Sequence, residues 1–486
     1  MQITHSNAGT QFILFVVFIT LYRAMMLYLV NPDMYLDEAY YWIWSQNLDW
    51  GYYSKPPMVA WFIAIATSLF GDSSLVIKSI SLAVYPLTAT MIYLSAKELF
   101  DEKIALYSGM LFFSLPAVSL SSMIISTDVV LLLFWSLTFF YFIRALNTNK
   151  MQYWILAGIF GGLGLLSKYN MILFVVSAFV YLIYSPTHRK MLTNKSFYLS
   201  LIIAAFVFLP NLIWNYNNEF ISFVHLKEIS QIEQKLFHFD KMFEFLGAQF
   251  GVFGPVSFGL LLYLFATSYS HRKDEKFVLL FLFTIVFLGV ITLQAFLSRA
   301  FANWAAPTYV TASILVVYVF VSKHKTKLLN WAIAINLLLM VLIYHYEPIM
   351  NTLGIELTKK RDPYARIKGW KEFGQKVSDI YQAYPDHILL AKKRKEVSEL
   401  IFYVRPHPFN TKIFNLEKKI KNYFHQNQNL NEQIGKNFIF VSKKKSIEDV
   451  SQYFKHTKFI KSIHIKIHKD YSRDYYLYKL TYFKGY

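Results

Sequence analysis

Residues 11–30 read QFILFVVFITLYRAMMLYLV, a run of 20 residues in which Arg23 is the single charged side chain. Roughly 20 helical residues cross the hydrocarbon core of a bilayer, so this run predicts a membrane-spanning helix. No small-residue cleavage site follows it, and we interpret it as a retained first span rather than a removable signal peptide. The chain as a whole has the same character, because 55% of its 486 residues are hydrophobic and 16% are charged.

Similar apolar runs recur along the first two thirds of the chain and predict a polytopic α-helical membrane protein of about 11–13 transmembrane helices. Residues 56–70 form a further span or an interfacial helix. The eleven predicted spans are residues 11–30, 76–96, 104–121, 126–143, 153–167, 170–184, 197–214, 251–269, 277–297, 303–321 and 328–346.

Basic residues are distributed unequally between the two sets of loops. One set holds thirteen: Lys97, Lys103, Arg144, Lys150, Arg189, Lys190, Lys195, Arg272, Lys273, Lys276, Lys323, Lys325 and Lys327. The opposite set is longer and holds six: Lys55, Lys168, Lys227, Lys235, Lys241 and Arg299. Since basic loops stay on the cytoplasmic side, the N-terminus is predicted in the cytoplasm and loop 31–75 outside. An odd number of spans places the C-terminus outside as well.

The composition changes after residue 346. Residues 347–486 carry 28 Lys or Arg against 14 Asp or Glu, and their apolar runs are no longer than a strand. HILLA, KNFIFVSK, FIKSIHIKIH and DYYLYKLTYF predict strands, whereas RIKGWKEFGQKVSDIYQAY and KEVSELIFYV predict helices. We therefore predict a transmembrane domain over 1–346, with 31–75 as its first external loop, and an extramembrane α/β domain over 347–486.

Two neighbouring carboxylates, Asp37 and Glu38, follow the first span directly. Ionisable residues at a membrane boundary are costly to keep and indicate function by default. Neighbouring side chains on a helix point about 100° apart, so the two are expected to have different roles. The alternative is that they cap a helix, where an acidic first turn complements the helix dipole. Both are candidate catalytic residues.

Lys55 stands before a proline pair in YYSKPPMVAW. Pro56 biases Lys55 away from helical geometry, and Pro57 is suited to open the next helix. A cation just before a helix start is placed to bind an anion such as a phosphate. The alternative is a lysine that extends its ammonium to the membrane interface.

Further polar residues lie at predicted outer ends of spans and are candidates for substrate binding. Each one alone is explained as a cap or a headgroup contact, but their shared side favours a joint role. They are Asp128 in IISTDVVLLLFW, Lys168 in GGLGLLSKYNMILF, and Arg299, Asn303 and Trp304 in LSRAFANWAAPTY.

Aromatic residues crowd the first external loop and predict an interfacial belt. Sugar rings also stack on such faces, so the two roles can coexist, and Tyr40 is a candidate for sugar binding. The seven aromatics are Tyr40, Tyr41, Trp42, Trp44, Trp50, Tyr52 and Tyr53.

No metal site or required cofactor is predicted, although a divalent metal requirement stays open. The chain has no cysteine, and the spacing of the group formed by His225, Glu228, Glu233, His238 and Asp240 fits no recognised metal motif. No nucleotide-binding motif occurs, which argues against nucleotide and nucleic-acid ligands. The net charge of +19 suggests an anionic neighbour, either lipid headgroups or a phosphorylated substrate.

Several motifs in order resemble one known family. DEAYYWIWSQNLDWGYYSKPPMVAW, STDVVLLLFW, LLSKYNMILF, FLPNLIWNYNNEFISFVHL and NWAAPTY are together similar to the bacterial branch of the dolichyl-phosphate-mannose protein mannosyltransferase family, which are GT-C membrane glycosyltransferases. The tail motif DPYARIKGWKEFGQKV resembles that of lipid A aminoarabinose transferases. The resemblance covers residues 10–370 and, more loosely, the tail.

The resemblance implies a multi-span fold with a periplasmic active site, in which a sugar moves from a polyprenyl-phosphate donor to an acceptor, usually with inversion. Asp37 matches the position taken as catalytic, and Lys55 matches a residue that contacts donor phosphate in the lipid A branch. One departure stands out: the aminoarabinose enzymes usually carry an arginine in the turn after the acidic pair, where this chain reads DEAYYW.

These observations predict a glycosyltransferase of the bacterial inner membrane that transfers a sugar from undecaprenyl phosphate to lipid A, lipopolysaccharide or another envelope glycan. Asp37 would take the proton of an acceptor hydroxyl; with an anionic lipid A phosphate as acceptor, it would instead orient substrate or support the oxocarbenium-like charge. Lys55, with Arg299 and Lys168, would neutralise the departing phosphate. The alternatives are protein O-glycosylation on the same fold and a transporter or flippase for a lipid-linked sugar. Transporters favour inverted repeats, and none is visible here.

Overall fold

The computed structural model describes residues 5–230 and 237–486, with side chains from residue 7 onward. From the N-terminus the helices are α1 (His5–Val30), α2 (Leu36–Ser45), α3 (Met58–Phe70), α4 (Ser74–Leu99), α5 (Glu102–Ser114), α6 (Pro116–Ser121), α7 (Thr127–Thr148), α8 (Met151–Ser167), α9 (Ile172–Tyr184), α10 (Lys195–Asn217), α11 (Ile221–Ser230), α12 (Phe239–Val252), α13 (Pro255–Thr267), α14 (Glu275–Leu297), α15 (Thr308–Ser322), α16 (Thr326–Tyr344) and α17 (Tyr346–Thr352). Short 3-10 helices cover Tyr169–Met171, Arg189–Thr193, Ser268–His271 and Ala302–Ala305.

The C-terminal part mixes helices and strands. Its elements are α18 (Trp370–Gln382), β1 (His387–Ala391), α19 (Arg394–Tyr403), β2 (Lys412–Ile413), α20 (Tyr423–Asn427), β3 (Asn437–Ser442), α21 (Glu448–Ser451), β4 (Phe454–His468) and β5 (Tyr471–Phe483). The predicted strands and helices of the tail are confirmed by these elements.

The contacts divide the described residues into two compact units. The helical unit is drawn from Met1–Val30, Asp49–Gly51 and Lys55–Tyr344, and the sheet unit from Asn31–Leu48, Tyr52–Ser54 and His345–Tyr486. Most of the first half of loop 31–75, with helix α2, is therefore part of the sheet unit.

The apolar runs of the helical unit are helical, as predicted. Within the described residues, six helices are long and apolar enough to cross a membrane: α1, α4, α7, α10, α14 and α16. Four shorter apolar helices accompany them: Met58–Phe70, Met151–Ser167, Tyr169–Tyr184 and Thr308–Ser322. The count of about 11–13 spans stays a prediction. The connection between the predicted spans 197–214 and 251–269 includes α11 and most of α12.

Local sequence explains where several of these helices begin and end. The carboxylate of Asp101 accepts a hydrogen bond from the Ile104 amide at 2.8 Å and so caps α5. Pro116 interrupts the predicted span 104–121, because proline cannot donate a backbone hydrogen bond and is tolerated best in a first helical turn. That span is consequently built from α5 and the short α6.

Apolar side chains of the helical unit point both inward and outward. Met58, Val130, Phe134, Leu166 and Phe208 form a buried cluster that joins α3, α7, α8 and α10. A second set is exposed on the unit's surface, as expected where lipid replaces protein: Phe18, Leu21, Phe206 and Trp331.

The sheet unit is built on five strands in the order β2-β1-β3-β5-β4. β2 and β3 lie parallel to β1, whereas β5 runs antiparallel to both β3 and β4. One face buries Phe438, Phe440 and Leu480. On the opposite face Tyr475 contacts Phe373 of α18, with ring centroids 4.5 Å apart. The sheet is therefore covered on both faces.

Helix α2 is buried within the sheet unit. Trp42 contacts Phe402 of α19 with ring centroids 5.0 Å apart, and Trp44 stacks on Tyr52 at 4.6 Å. The belt prediction is wrong for six of the seven aromatics, because only Trp50 is exposed. Their rings fill a protein core instead of facing headgroups.

Candidate functional site

Asp37 and Glu38 lie in the first turn of α2 and have different environments. Glu38 is fully buried, and its Oε2 accepts a hydrogen bond of 2.8 Å from the Tyr35 amide, which caps the helix start. The Asp37 side chain is 40% exposed. Because adjacent helical side chains diverge by about 100°, one carboxylate faces the core and the other faces solvent.

Arg394, in the first turn of α19, faces Asp37. Its Nη2 lies 3.3 Å from Asp37 Oδ1, and its guanidinium carbon lies 4.7 Å from the centre of the Tyr40 ring. Burial alone would lower the pKa of Arg394, but the charge of Asp37 and the nearby tyrosine hydroxyls raise it. The guanidinium is therefore a permanent cation beside the candidate catalytic carboxylate. Arg394 was not among the predicted site residues, since in sequence it is one of four successive basic residues in AKKRKEV.

Hydrogen bonds from the C-terminal elements fix the segment that carries Asp37. The Met34 amide donates to the Tyr403 hydroxyl at 2.6 Å, and the Tyr423 amide donates to the hydroxyl of Tyr40 at 2.7 Å. Asp33 Oδ2 accepts from the Trp370 amide at 2.8 Å, at the N-terminus of α18. Tyr40 is fully buried, and its ring packs against the guanidinium of Arg394.

A second carboxyl group, Glu399, is buried one turn further along α19. Its side chain is 0% exposed, and among the described residues neither of its oxygens has a hydrogen-bond partner. Burial raises the pKa of Glu399 well above its ordinary value, although Lys395 and Arg473 oppose the shift. Burial therefore favours the protonated form of Glu399.

In the helical unit, Asp128 joins two other predicted residues. Its Oδ1 lies 2.6 Å from Lys168 Nζ, and its Oδ2 accepts a hydrogen bond of 2.8 Å from Asn303 Nδ2. The side chains of Lys168 and Asp128 are 10% and 12% exposed. Three candidates from separate parts of the helical unit therefore form one hydrogen-bonded group, in which the ion pair is buried and Asn303 is exposed.

Arg299 and Trp304 both lie close to the Phe301 ring. The guanidinium carbon of Arg299 is 5.7 Å from the centre of the Phe301 ring, and the Trp304 ring centroid is 5.4 Å from it. Arg299 is exposed and Trp304 half-buried. A cation and an aromatic face are thus presented on the connection between α14 and α15.

Lys55 follows a short segment that is anchored on α10. Asn211 Nδ2 donates to the Trp50 carbonyl at 2.7 Å, and Trp214 Nε1 donates to Asp49 Oδ2 at 2.6 Å. A Cβ at Gly51 would lie 2.4 Å from Trp214, so the close approach requires glycine there. The half-buried Lys55 lies just before Pro57, the cap residue of α3.

The tail motif DPYARIKGW has a structural role in the sheet unit. The carboxylate of Asp362 is buried, and its Oδ2 lies 3.0 Å from Lys368 Nζ and 2.8 Å from His468 Nε2. Lys368 also contacts Glu347 at 2.7 Å. These ion pairs tie the motif to β4.

The histidine group weighed for metal binding is described only in part, since Glu233 lies outside the described residues. His225 Nδ1 lies 3.9 Å from Glu228 Oε2. In the part of the chain that the structure describes, no three His, Asp or Glu side chains are placed to hold a metal ion.

The predicted site residues are divided between the units. Asp37, Glu38 and Tyr40 belong to the sheet unit. The helical unit holds Lys55, Asp128, Lys168, Arg299, Asn303 and Trp304.

Comparison with known proteins gives consistent matches. Residues 54–214 match the family model of dolichyl-phosphate-mannose-protein mannosyltransferase. The chain is 30% identical over 399 residues to the lipid A galacturonosyltransferase RgtD of Rhizobium johnstonii, covering 81% of this chain and 82% of that protein. It is 25% identical over 174 residues to an undecaprenyl phosphate-alpha-4-amino-4-deoxy-L-arabinose arabinosyl transferase of Pseudomonas savastanoi, covering 35% and 32% of the two chains.

The fold is similar to crystal structures of ArnT from Cupriavidus metallidurans. The apo state gives a TM-score of 0.66 at 12% identity, with 97% of this chain and 98% of that chain covered. The state bound to undecaprenyl phosphate gives 0.64 at 13% identity, with 95% and 97% covered. These matches confirm the helical fold with its small C-terminal sheet domain. Together with the long match to RgtD, they establish that this multi-pass membrane protein belongs to the dolichyl-phosphate-mannose-protein mannosyltransferase family of GT-C glycosyltransferases.

Proposed function

We propose that the protein transfers a sugar from an undecaprenyl-phosphate donor to lipid A or another lipopolysaccharide acceptor. The observation that carries the proposal is the match to RgtD over four fifths of both chains, since RgtD is a lipid A galacturonosyltransferase. The named donor of the Pseudomonas savastanoi relative and the undecaprenyl phosphate bound to ArnT support the class of donor.

The reaction is placed at the periplasmic face of the bacterial inner membrane. The unequal distribution of basic loop residues supports a cytoplasmic N-terminus, and loop 31–75 then lies outside with the C-terminal domain. Lipid-linked sugars and lipid A are both held in the bilayer, so a membrane enzyme meets both substrates without their leaving the lipid.

Asp37 is assigned the role of general base. An acceptor hydroxyl attacks the anomeric carbon, Asp37 takes the hydroxyl proton, and the bond from that carbon to the phosphate oxygen breaks. Attack opposite the leaving phosphate inverts the configuration of the transferred hexose or pentose. The half-exposed carboxylate of Asp37 suits this role, whereas the buried Glu38 positions the helix start.

The departing polyprenyl phosphate is an anion and requires cations to stabilise it. Lys55 is assigned this role, with the exposed Arg299 as a second cation. Lys168 is instead assigned a positioning role with Asp128 and Asn303, because its ammonium is already engaged by a carboxylate at 2.6 Å.

The test is mass spectrometry of lipid A and of the other envelope glycans from cells with the intact gene, a deletion, or Asp37→Asn. Loss of one sugar mass from lipid A in both mutants is the expected result. An unchanged lipid A with a sugar missing from envelope proteins would instead indicate protein O-glycosylation. If Asp37→Asn matches the intact gene while the deletion does not, Asp37 is not the base and transport of the lipid-linked sugar regains support.

A further inference from the structure

Four consecutive basic residues, Lys392 to Lys395, connect β1 to α19, and their side chains go to different partners. Lys392 pairs with Asp449, and Lys395 lies over the Trp370 ring with its Nζ 5.1 Å from the centroid. Lys393 is exposed. Arg394 is the member of this run that faces Asp37.

The guanidinium of Arg394 has two neighbours from α2. It contacts Asp37 through Nη2 at 3.3 Å on one side and the Tyr40 ring at 4.7 Å on another. The Tyr40 ring is fixed in turn, because its hydroxyl accepts a hydrogen bond from the Tyr423 amide and its ring packs in a T-shaped contact with Phe424, with centroids 5.3 Å apart. A planar fork held in this way loses little entropy when it binds a ligand.

Arg394 is also accessible. Its side chain is 35% exposed and that of Asp37 is 40% exposed, so a substrate can reach both from solvent. The contact with Asp37 uses one guanidinium nitrogen, whereas an arginine carries five N–H donors in its fork. A second carboxylate can therefore share the same guanidinium.

A cation beside the proposed base distinguishes sugars by charge. A neutral hexose offers hydroxyl groups, whereas a hexuronic acid carries a carboxylate that matches the arginine fork in a bidentate, charge-assisted pair. Without Arg394, the charge of Asp37 would repel such a sugar.

We propose that Arg394 is a specificity-determining residue that binds the carboxylate of the transferred sugar, so that the donor is an undecaprenyl-phosphate-linked hexuronic acid. This inference rests on the proposed transferase function. The class of sugar agrees with the galacturonosyl transfer for which RgtD is named, and the inference adds the residue of the C-terminal domain that selects it.

The test compares two donors with the purified full-length protein and lipid A as acceptor. The donors are undecaprenyl-phosphate hexuronosyl and hexosyl lipids that differ only in carrying COO⁻ or CH₂OH. We expect the unaltered protein to prefer the hexuronosyl donor in kcat/KM. Arg394→Ala is expected to lose roughly 10- to 100-fold with that donor and much less with the hexosyl donor, because one charge-assisted recognition contact is removed.

Two further variants make the result specific. Arg394→Lys keeps the charge without the fork and is expected to keep part of the preference, while Lys393→Ala, a neighbouring exposed cation, should leave it unchanged. Thermal unfolding of each variant checks the fold. A preference unaltered by Arg394→Ala, or equal use of both donors by the unaltered protein, would overturn the role of Arg394 but leave the transferase function standing. Transfer of neither sugar to lipid A would overturn the proposed function itself.

Discussion

Two carboxylates in this chain each face a cation, and they differ in their access to solvent. Asp128 lies 2.6 Å from Lys168 and also accepts from Asn303, with the ion pair almost wholly buried. Asp37 lies 3.3 Å from Arg394, and both side chains are more than a third exposed. A buried ion pair whose hydrogen bonds are satisfied has few donors or acceptors left for a ligand. An exposed ion pair keeps donors and acceptors that a ligand can reach. The comparison separates a structural ion pair from one suited to chemistry.

The largest change in activity is expected at the exposed carboxylate, Asp37. Asp37→Asn removes the proposed base with almost no change of shape, so transfer to lipid A should fall by roughly 10²- to 10⁴-fold. The rate is measured with purified protein, and Asp386→Asn, which changes an exposed carboxylate elsewhere in the sheet unit, is the matched control. A loss of less than tenfold would mean that the open pair is not the reacting one.

The buried pair should respond in stability rather than in chemistry. Lys168→Met leaves Asp128 buried without its cation and is expected to destabilise the protein by about 3–5 kcal/mol. Lys168→Met combined with Asp128→Leu should recover much of that loss, since no uncompensated charge is left. Thermal unfolding in detergent measures both, with the exposed Lys190→Met as control. A stable but inactive Lys168→Met protein would instead assign Lys168 to the reaction.

The buried carboxyl group of Glu399 predicts a pH dependence of stability. Since burial raises the pKa of Glu399, the folded protein holds this proton more tightly than the unfolded chain. The stabilising contribution is complete below the ordinary value of 4.5 and is lost as the pH rises toward the folded-state pKa. Glu399→Gln cannot ionise, so its unfolding midpoint should decline less between pH 5 and 8. Parallel pH profiles would show that Glu399 is already charged in the folded protein.

A smaller effect is expected from the hydrogen bond that holds the start of the Asp37 segment. Tyr403→Phe removes the hydroxyl that accepts the buried Met34 amide and should cost about 1–3 kcal/mol. Hydrogen exchange of that amide should become faster. Tyr482→Phe, at an exposed tyrosine of β5, provides the control. Unchanged exchange at Met34 would show that another group satisfies its amide.

Much of the fold could be predicted from sequence because its signals are local. Apolar runs of helical length marked the spans, and alternation marked β4 and β5. The distinct roles expected of Asp37 and Glu38 follow from the angle between neighbouring helical side chains, and one of them does cap its helix. The sequence predicted that Asp128, Lys168 and Asn303 share one side of the membrane. It did not predict that they contact one another.

What could not be predicted depends on contacts between distant residues. The aromatics of α2 read as a membrane belt, since the rings that cover them, such as Phe402, lie some 360 residues later in the chain. In sequence, nothing distinguishes Arg394 from the three lysines of the same basic run. The packing of α19 on α2 is what places Arg394 beside Asp37. Periodicity shows which face of a helix is apolar but not which element covers it.

The discontinuous make-up of the sheet unit has a consequence for biosynthesis. Residues 31–48 leave the ribosome long before residues 345–486, with which they share a core. At typical elongation rates of about 5–20 residues per second, the roughly 300 intervening residues impose a delay of about 15–60 s. During that time Trp42 and Trp44 lack the partners that bury them. Until then, these rings have to be covered by other partners. Asp37, the proposed base, can contact Arg394 only after α19 has been synthesised.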